Sequence, residues 1–467
     1  MKKRFRSALP ARRKLTIVAL AAIVGGLLVA FATSAGHAAA ARGGVMTPAV
    51  GPDPKVSLIG NLNQPGPLRA CQRAGTCYGP DQMRNAYGVQ SLLDAGDDGT
   101  GSTIVIIDAY GSDTIQNDLA LFDANFGLPA PTLNIIQPDG PPSPTSAANL
   151  LGWKGETTLD VEWAHAIAPG ATIDLVEAKS NSDADILSAT EAVAAGNYGD
   201  VVSQSFGEAE ACESSKLLQR QHAVFSQLAG NGTTLFASSG DQGAGLPTCD
   251  GKSLIKAAST PATDPKVTAV GGTDLTATAP TFDSTNHELT PGGQYESEVV
   301  WNDGVGAAEG AGISSLYARP GFQNRVVSGH MREIPDIAYS ASAHHDVLAV
   351  MTLDAGDQGS LFGVPSGGTF FFGFSGTSCG SPQWAAIVAI ANQVAGHRLG
   401  DINPTLYALG QSSQGSSVYN DVTVGDNSVG APFNITGFSA GPGWDQAVGW
   451  GSPQANNLVP ALAAAGS

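Results

Sequence analysis

Three short segments carry residues able to do covalent chemistry. The first is GFSGTSCGSPQW, Gly373 to Trp384. Ser378 stands in a turn of small residues that opens a strongly apolar run. Such a turn exposes a hydroxyl, and a helix N-terminus supplies amide donors and positive potential for an oxyanion. The second is GETTLD, with Glu156 and Asp160 four residues apart. On a helix that spacing puts both on one face, about 5–6 Å apart. Two carboxyls that close share a proton and titrate as a unit. Glu156 could then accept the Ser378 proton while Asp160 orients and tunes it. The third is SSGDQGAG, Ser238 to Gly245, where Asp241 ends an apolar run in a glycine-rich turn. A carboxylic acid kept protonated there could donate a hydrogen bond to an oxyanion.

A nucleophilic serine more usually has an imidazole base. His165, His222, His287, His330, His344, His345 and His397 lie beyond the leader, and none stands in an H-G setting. The D-[ST]-G strand end of subtilisin-type triads is also missing; the matching run ends Asp108-Ala109-Tyr110. G-T-S-C-G around Ser378 does satisfy G-x-S-x-G, which keeps a secreted serine esterase as an alternative. That arrangement needs an acid and then a histidine later in the chain. Only His397 follows, too near Ser378 in sequence. A non-catalytic secreted binding protein on the same fold is the other alternative. It would be expected to have lost one of Glu156, Asp160, Asp241 or Ser378, and all four stand.

The elements that must position these residues alternate. Ser102–Gly111, Thr172–Ala178, Asp200–Gly207, Thr233–Gly240 and Lys266–Thr273 read as apolar strands. Asp118–Gly127, Glu156–Ala171, Asp185–Gly196 and Lys216–Ala229 read as the intervening helices. Ser381–Gly396 is apolar nearly all round, so it is a buried helix. This order predicts an α/β fold with a mostly parallel central sheet and helices on both faces. Such sheets present their sites at the carboxyl ends of strands, where Asp241 falls.

The chain has 467 residues and a net charge of −18. A nucleic-acid reader needs a basic footprint, so that class is excluded. The basic residues crowd at the start: seven fall in residues 1–14, followed by the uncharged run Leu15–Ala32 and a small-residue stretch. This is the pattern of a secretory signal over residues 1–40. Its removal leaves a body with 16 basic and 41 acidic residues. Such a body loses self-repulsion as pH falls toward its carboxylate range, which hints at an acidic working environment. A secreted, extracellular protein is expected, membrane-anchored only if the leader is retained. Residues 41–74 read as a Pro- and Gly-rich extension or linker, and 75–467 as one domain. Five cysteines suit an exported chain. Cys71 and Cys77 are close enough for a small-loop disulfide and Cys212 with Cys249 could form another, although pairing is not fixed by sequence. Cys379 is left over.

Taken in order, these segments resemble the sedolisin family, the serine-carboxyl peptidases. The likeness runs through YGPDQMRNAYG, GETTLD, APGATIDL, SQSFGEAE, SSGDQGA, STPATDPKVTAVGGT, EVVWN, REIPDIAY, SGTSCGSPQWAA and the closing AGPGWDQAVGWGSP. The resemblance implies a subtilisin-like fold. It implies Glu156 as general base, Asp160 as its support, Ser378 as nucleophile and Asp241 in the oxyanion hole. It implies that Ser205, Phe206 and Gly207 form the strand edge that holds substrate backbone. It also implies a Ca²⁺ site with side-chain ligands Asp421 and Asp445 and carbonyl ligands Val422, Gly441 and Gly443. Hard oxygen donors of that kind suit calcium. The expected protein is a secreted peptidase, an endopeptidase and a monomer, acting on polypeptides at roughly pH 3–5 because a carboxylate base works near its own pKa. Three departures stand out. About 30–40 residues separate the leader from the catalytic start, where the family has a long pro-domain. Cys379 follows the nucleophile, and GAAEGAGISS (Gly306–Ser315) replaces a run of glycines.

Overall fold

Apolar, β-branched runs pair into one central sheet, described here from a computed structural model. The structure describes residues 47–48, 56–63, 65–283, 288–304, 306–357, 359 and 367–465; the expected leader lies outside these. The sheet strands are Thr103–Ala109 (β1), Thr132–Ile136 (β2), Thr172–Ala178 (β3), Val201–Gln204 (β4), Thr234–Ser238 (β5), Thr268–Ala277 (β6), Tyr295–Val300 (β7) and Ile337–Ser340 (β8). Their order is β7-β6-β5-β4-β1-β3-β2, with β8 also paired to β6. All pairings are parallel except β6 with β7. β1 holds the centre, with Ile104 opposite both Ile173 and Val201.

Parallel strands need crossovers, and helices supply them. Ile115–Phe126 (α1) leads to β2, Ala147–Ile167 (α2) to β3, Asp183–Gly196 (α3) to β4 and Ser215–Gly230 (α4) to β5. The two-residue side-chain period divides the core. Ile104 and Ile106 of β1 face α2 and the later helix Gly380–Ala395 (α5), packing with Leu159, Trp163 and Ile387. Val105 and Ile107 face α3 and α4, packing with Leu187, Val193, Phe225 and Leu228. Helices therefore cover both faces, as the sequence pattern predicts.

Two elements differ from that pattern. Helix α2 starts at Ala147, well before Glu156, with the Ser146 hydroxyl accepting from the Asn149 amide at 3.1 Å. Gly152 and Gly155 mask this first half, since each lowers helix propensity by about 1 kcal/mol. Burial of Trp153, Lys154 and everything after them overrides that penalty. The second difference is a separate mixed sheet, in which Val56–Asn61, Gly368–Phe374 and Asp346–Leu353 pair antiparallel and Cys77–Tyr78 pairs parallel with Asp346–Leu353. Val56–Asn61 comes from the stretch read as a linker, and Pro65–Ala74 in the same stretch is a helix. From Val56 onward that stretch is structured rather than a plain linker, because its strand covers an edge that would otherwise be open. The Phe strand ends at Phe374, and the chain turns directly into Ser378.

Helix α5 carries this packing. Residues Gly380 to Asn392 are all buried, and Trp384 Nε1 donates to the Ala338 carbonyl at 3.0 Å. Ile387→Ala should cost about 2–5 kcal/mol of stability, since a cavity in a core of this density relaxes only partly. Urea unfolding monitored by tryptophan fluorescence checks this; a shift below 1 kcal/mol would mean the helix is not packed as described.

Candidate active site

Five chain segments meet at the carboxyl ends of the sheet strands. β1 ends beside Asp108, β4 leads into Ser205, and β5 leads into Asp241. Helix α2 brings Glu156 and Asp160, one turn apart and both buried. The one-turn helix Thr377–Cys379 delivers Ser378 at the head of α5. Gly376 before it has φ +123°, a conformation side chains avoid, and a Cβ there would collide with the Asp241 carboxylate.

The hydroxyl and carboxyls converge. Ser378 Oγ and both Glu156 oxygens are buried without a hydrogen bond of full geometry. The two side chains nevertheless face each other closely enough for the hydroxyl to lower the Glu156 pKa as a donor. Such bonds are often long before substrate arrives. Asp160 Oδ1 accepts from Ser205 Oγ at 2.9 Å. Asp241 Oδ1 accepts from the Thr377 amide and from Thr377 Oγ1, each at 2.8 Å. Thr377 Oγ1 in turn accepts from the Gly240 amide at 3.1 Å. Asp241, Glu156 and Asp160 all act electrostatically on Cys379, the residue after Ser378. The four residues singled out in sequence thus share one pocket.

Charge is costly here. Burial first, then Asp160, Asp108 and Asp241, hold Glu156 well above the usual carboxylate range. Burial first, then Asp108, does the same to Asp160. Asp108 is itself pushed up to about 7, chiefly by burial and further by Glu177, with the Thr157 hydroxyl opposing. Like charges that close cannot all ionise, so the group loses protons one at a time. In the sequence Asp108 stands out only as the strand end that lacks the D-[ST]-G motif, so no role is read from it; the signal for its place here is a lone acid at the end of an apolar central strand. Cys379 is a buried free thiol pushed up by burial and by these carboxyls, so it stays protonated.

The remaining expected residues fall at two neighbouring places. Phe206–Ala209 is a short strand with Phe206 packed on Trp153 at 6.2 Å. One edge pairs with Ser259–Thr260. On the other edge Thr47–Pro48 runs antiparallel, Thr47 opposite Gly207 and Pro48 opposite Phe206. Asp421 and Asp445 come together through a loop: Gly443 N donates to Asp421 Oδ2 at 2.9 Å and Gly441 N to Asp445 Oδ2 at 2.8 Å. Burial first, with backbone donors opposing and Asp421 adding, pushes Asp445 up to about 6. Val422 is buried beneath the loop with Val300, Ala447 and Val448. A further acidic group not anticipated from sequence joins Asp274 of β6, Asp303 just after β7 and His344 of the short helix Ala343–His345.

Known proteins share this arrangement. The chain is 34% identical over 406 residues to Kumamolisin of Bacillus sp. (strain MN-32), covering 84% of this chain and 65% of that protein. It is 29% identical over 399 residues to Sedolisin of Pseudomonas sp. (strain 101), covering 81% and 60%. A solved structure of Pseudomonas sedolisin, a serine-carboxyl proteinase complexed with two molecules of pseudo-iodotyrostatin, aligns with TM-score 0.66 at 26% identity, covering 84% of this chain and 99% of that one. The chain belongs to the sedolisin family. No family model matches it. It spans 65% and 60% of the length of those two curated relatives. In this fold α2 lies beside α5 on one face of the sheet, and that packing holds its acids at the strand ends.

The buried acids set a pH dependence for the fold. Asp108 and Asp123 are each pushed up to about 7 by burial, and Glu156, Asp160 and Glu162 are raised as well. A raised folded pKa favours folding while the group is protonated, fully so below the unfolded value of about 4. That contribution is lost as pH rises through the folded values. Tm should therefore be highest in acid and fall between about pH 5 and 8, measured by scanning fluorimetry from pH 3 to 9. A Tm that climbs steadily to pH 8 contradicts this assignment.

Proposed function

We propose that the protein is a secreted serine-carboxyl peptidase that hydrolyses peptide bonds with Ser378 as nucleophile and Glu156 as general base. The observation that carries the proposal is a buried serine hydroxyl facing a buried carboxyl, with a second carboxyl behind it and, among the described residues, no imidazole beside them. Ser378 Oγ attacks the scissile carbonyl carbon and Glu156 takes its proton. The oxyanion is held by Asp241 and a backbone amide of the turn. Asp241 Oδ1 is occupied as an acceptor by Thr377, so Oδ2, over Gly376, is the atom that would carry the proton and donate. Glu156 then protonates the leaving amine and the C–N bond breaks. Water attacks the acyl ester, Glu156 accepts its proton, and Ser378 recovers it as the ester bond breaks. Asp160, fixed by Ser205, shares charge with Glu156 and keeps it oriented.

Substrate backbone would add to the Phe206–Gly207 edge, since that edge already accepts an extended segment of this chain in antiparallel register. Export is supported by the disulfides Cys71–Cys77 and Cys212–Cys249 together with the leader-like start. Among the described residues no helix is long and apolar enough to cross a membrane.

A single ionisation of the carboxyl group suffices for Glu156 to work, so cleavage of a peptide library should peak below about pH 6, where an imidazole base would be switched off. Ser378→Ala and Glu156→Gln should each lower kcat/KM at least about a thousandfold with circular dichroism unchanged. Full activity in either variant, or a maximum at pH 7–8, would refute the mechanism.

The acidic loop fits a calcium ion. Asp421 lies within electrostatic reach of Asp445, and among the described residues no lysine or arginine pairs with either acid; the backbone carbonyls of Val422, Gly441 and Gly443 would supply the remaining oxygens. Bound there, Ca²⁺ would supply charge neutralisation that ties the loop down, with no part in bond cleavage. EDTA at pH 6 should lower Tm by several degrees, with recovery on adding Ca²⁺; an Asp445→Asn variant should lose the response. Equal Tm with and without chelator would remove calcium from this loop.

A further inference from the structure

We infer that an acidic pocket beside the substrate strand, formed by Asp183, Glu208 and Glu213, selects a basic side chain, lysine or arginine, on the amino-terminal side of the scissile bond. The inference rests on the peptidase reading above and adds a substrate class to it.

The pocket lies outside the catalytic group. Asp183 is the first residue of α3 and is buried. Glu208 is the third residue of the strand Phe206–Ala209. Glu213 lies just before Ser214, the N-cap of α4, and is buried to 5% exposure. The three come from separate elements yet lie within electrostatic reach of one another. The decisive feature is Glu213, whose two carboxylate oxygens are both buried with no hydrogen-bond partner. A buried polar group without a partner costs on the order of 1–3 kcal/mol, and more when charged. Burial first, then the neighbouring acids, pushes Glu208 up to about 9 and Glu213 up to about 8. A cation seated among them would supply what burial removed.

The register says which cation. Thr47 lies opposite Gly207 on the strand edge and Pro48 opposite Phe206, antiparallel. A substrate in that register would place the residue before the one opposite Gly207 across from Glu208. Directly opposed residues in an antiparallel pair point to the same face. Glu208 and that substrate residue therefore share a face. The chain then runs on toward Ser205, which is hydrogen-bonded to Asp160 of the catalytic group. A long flexible stem with a terminal ammonium or guanidinium matches a recessed acidic pocket reached from an extended backbone.

The test is a positional peptide library digested by the full chain at its working pH, read by mass spectrometry. Lysine and arginine should be enriched at a single position amino-terminal to the cut. The ratio of kcat/KM for a lysine peptide over its norleucine counterpart should be about tenfold or more, and it should fall toward one in Glu213→Gln and Glu208→Gln. Cleavage without basic enrichment, or enrichment that survives both substitutions, overturns the pocket. If no peptide is cleaved by folded protein, the peptidase reading fails instead. Binding of the same two peptides to Ser378→Ala, followed by fluorescence anisotropy, then still decides the pocket: about tenfold tighter binding of the lysine peptide supports it, and equal binding overturns it.

Discussion

Removing a carboxyl from water makes its charged form expensive, and the site depends on that expense. Glu156, Asp160 and Asp108 are each fully buried, and each is pushed toward its protonated form. An isolated buried acid would simply stay neutral. A set of coupled acids can instead hold one charge among several oxygens, stabilised by the hydroxyls of Ser378, Ser205 and Thr157. In the proposed mechanism, that shared charge would give a weak base enough proton affinity to act on the Ser378 hydroxyl. The same expense makes an acidic medium congenial to the fold, because protonation relieves repulsion that folding created.

Rigid packing keeps these acids out of water. α2 and α5 lie together on one face of the sheet, and both are buried along most of their length. Their ends are tied by directional contacts: Ser381 Oγ to Ser203 Oγ at 2.8 Å, and Trp163 Nε1 to the Leu348 carbonyl at 3.0 Å. Gly376 and Thr377 then set Asp241 against the nucleophile turn. The strand of the second, mixed sheet that ends at Phe374 fixes where that turn begins. It is the part of the fold farthest from the parallel-sheet pattern, yet it sits closest to Ser378 in sequence.

In the function proposed above, the strand edge at Phe206–Gly207 is where fold would meet specificity. A backbone ladder binds any extended peptide, so it cannot choose among side chains. Selection has to come from groups flanking the ladder. Here they are acidic and drawn from the starts of two helices, where the helix dipole favours negative charge in water-exposed positions. Burial of Glu213 sets that preference against desolvation, a conflict that the cation proposed above would resolve.

Much of this was written in the chain itself. The alternation of apolar runs with helical spacing specified the parallel sheet, because side-chain periodicity is a local property of backbone geometry. The four residues Glu156, Asp160, Asp241 and Ser378 were legible because each sits in a short, chemically distinctive segment. Asp108 was not, since an acid on a central strand declares itself only when its neighbours across the sheet are known. The start of α2 was hidden by two glycines whose cost is repaid only by packing. The pairing of Val56–Asn61 with the Phe strand joins residues about 300 positions apart. The Asp183–Glu208–Glu213 pocket likewise joins three unconnected elements. Local order follows from which residue comes next, but burial and proximity between distant segments exist only once the chain has folded, and those two quantities decide which acids keep their protons.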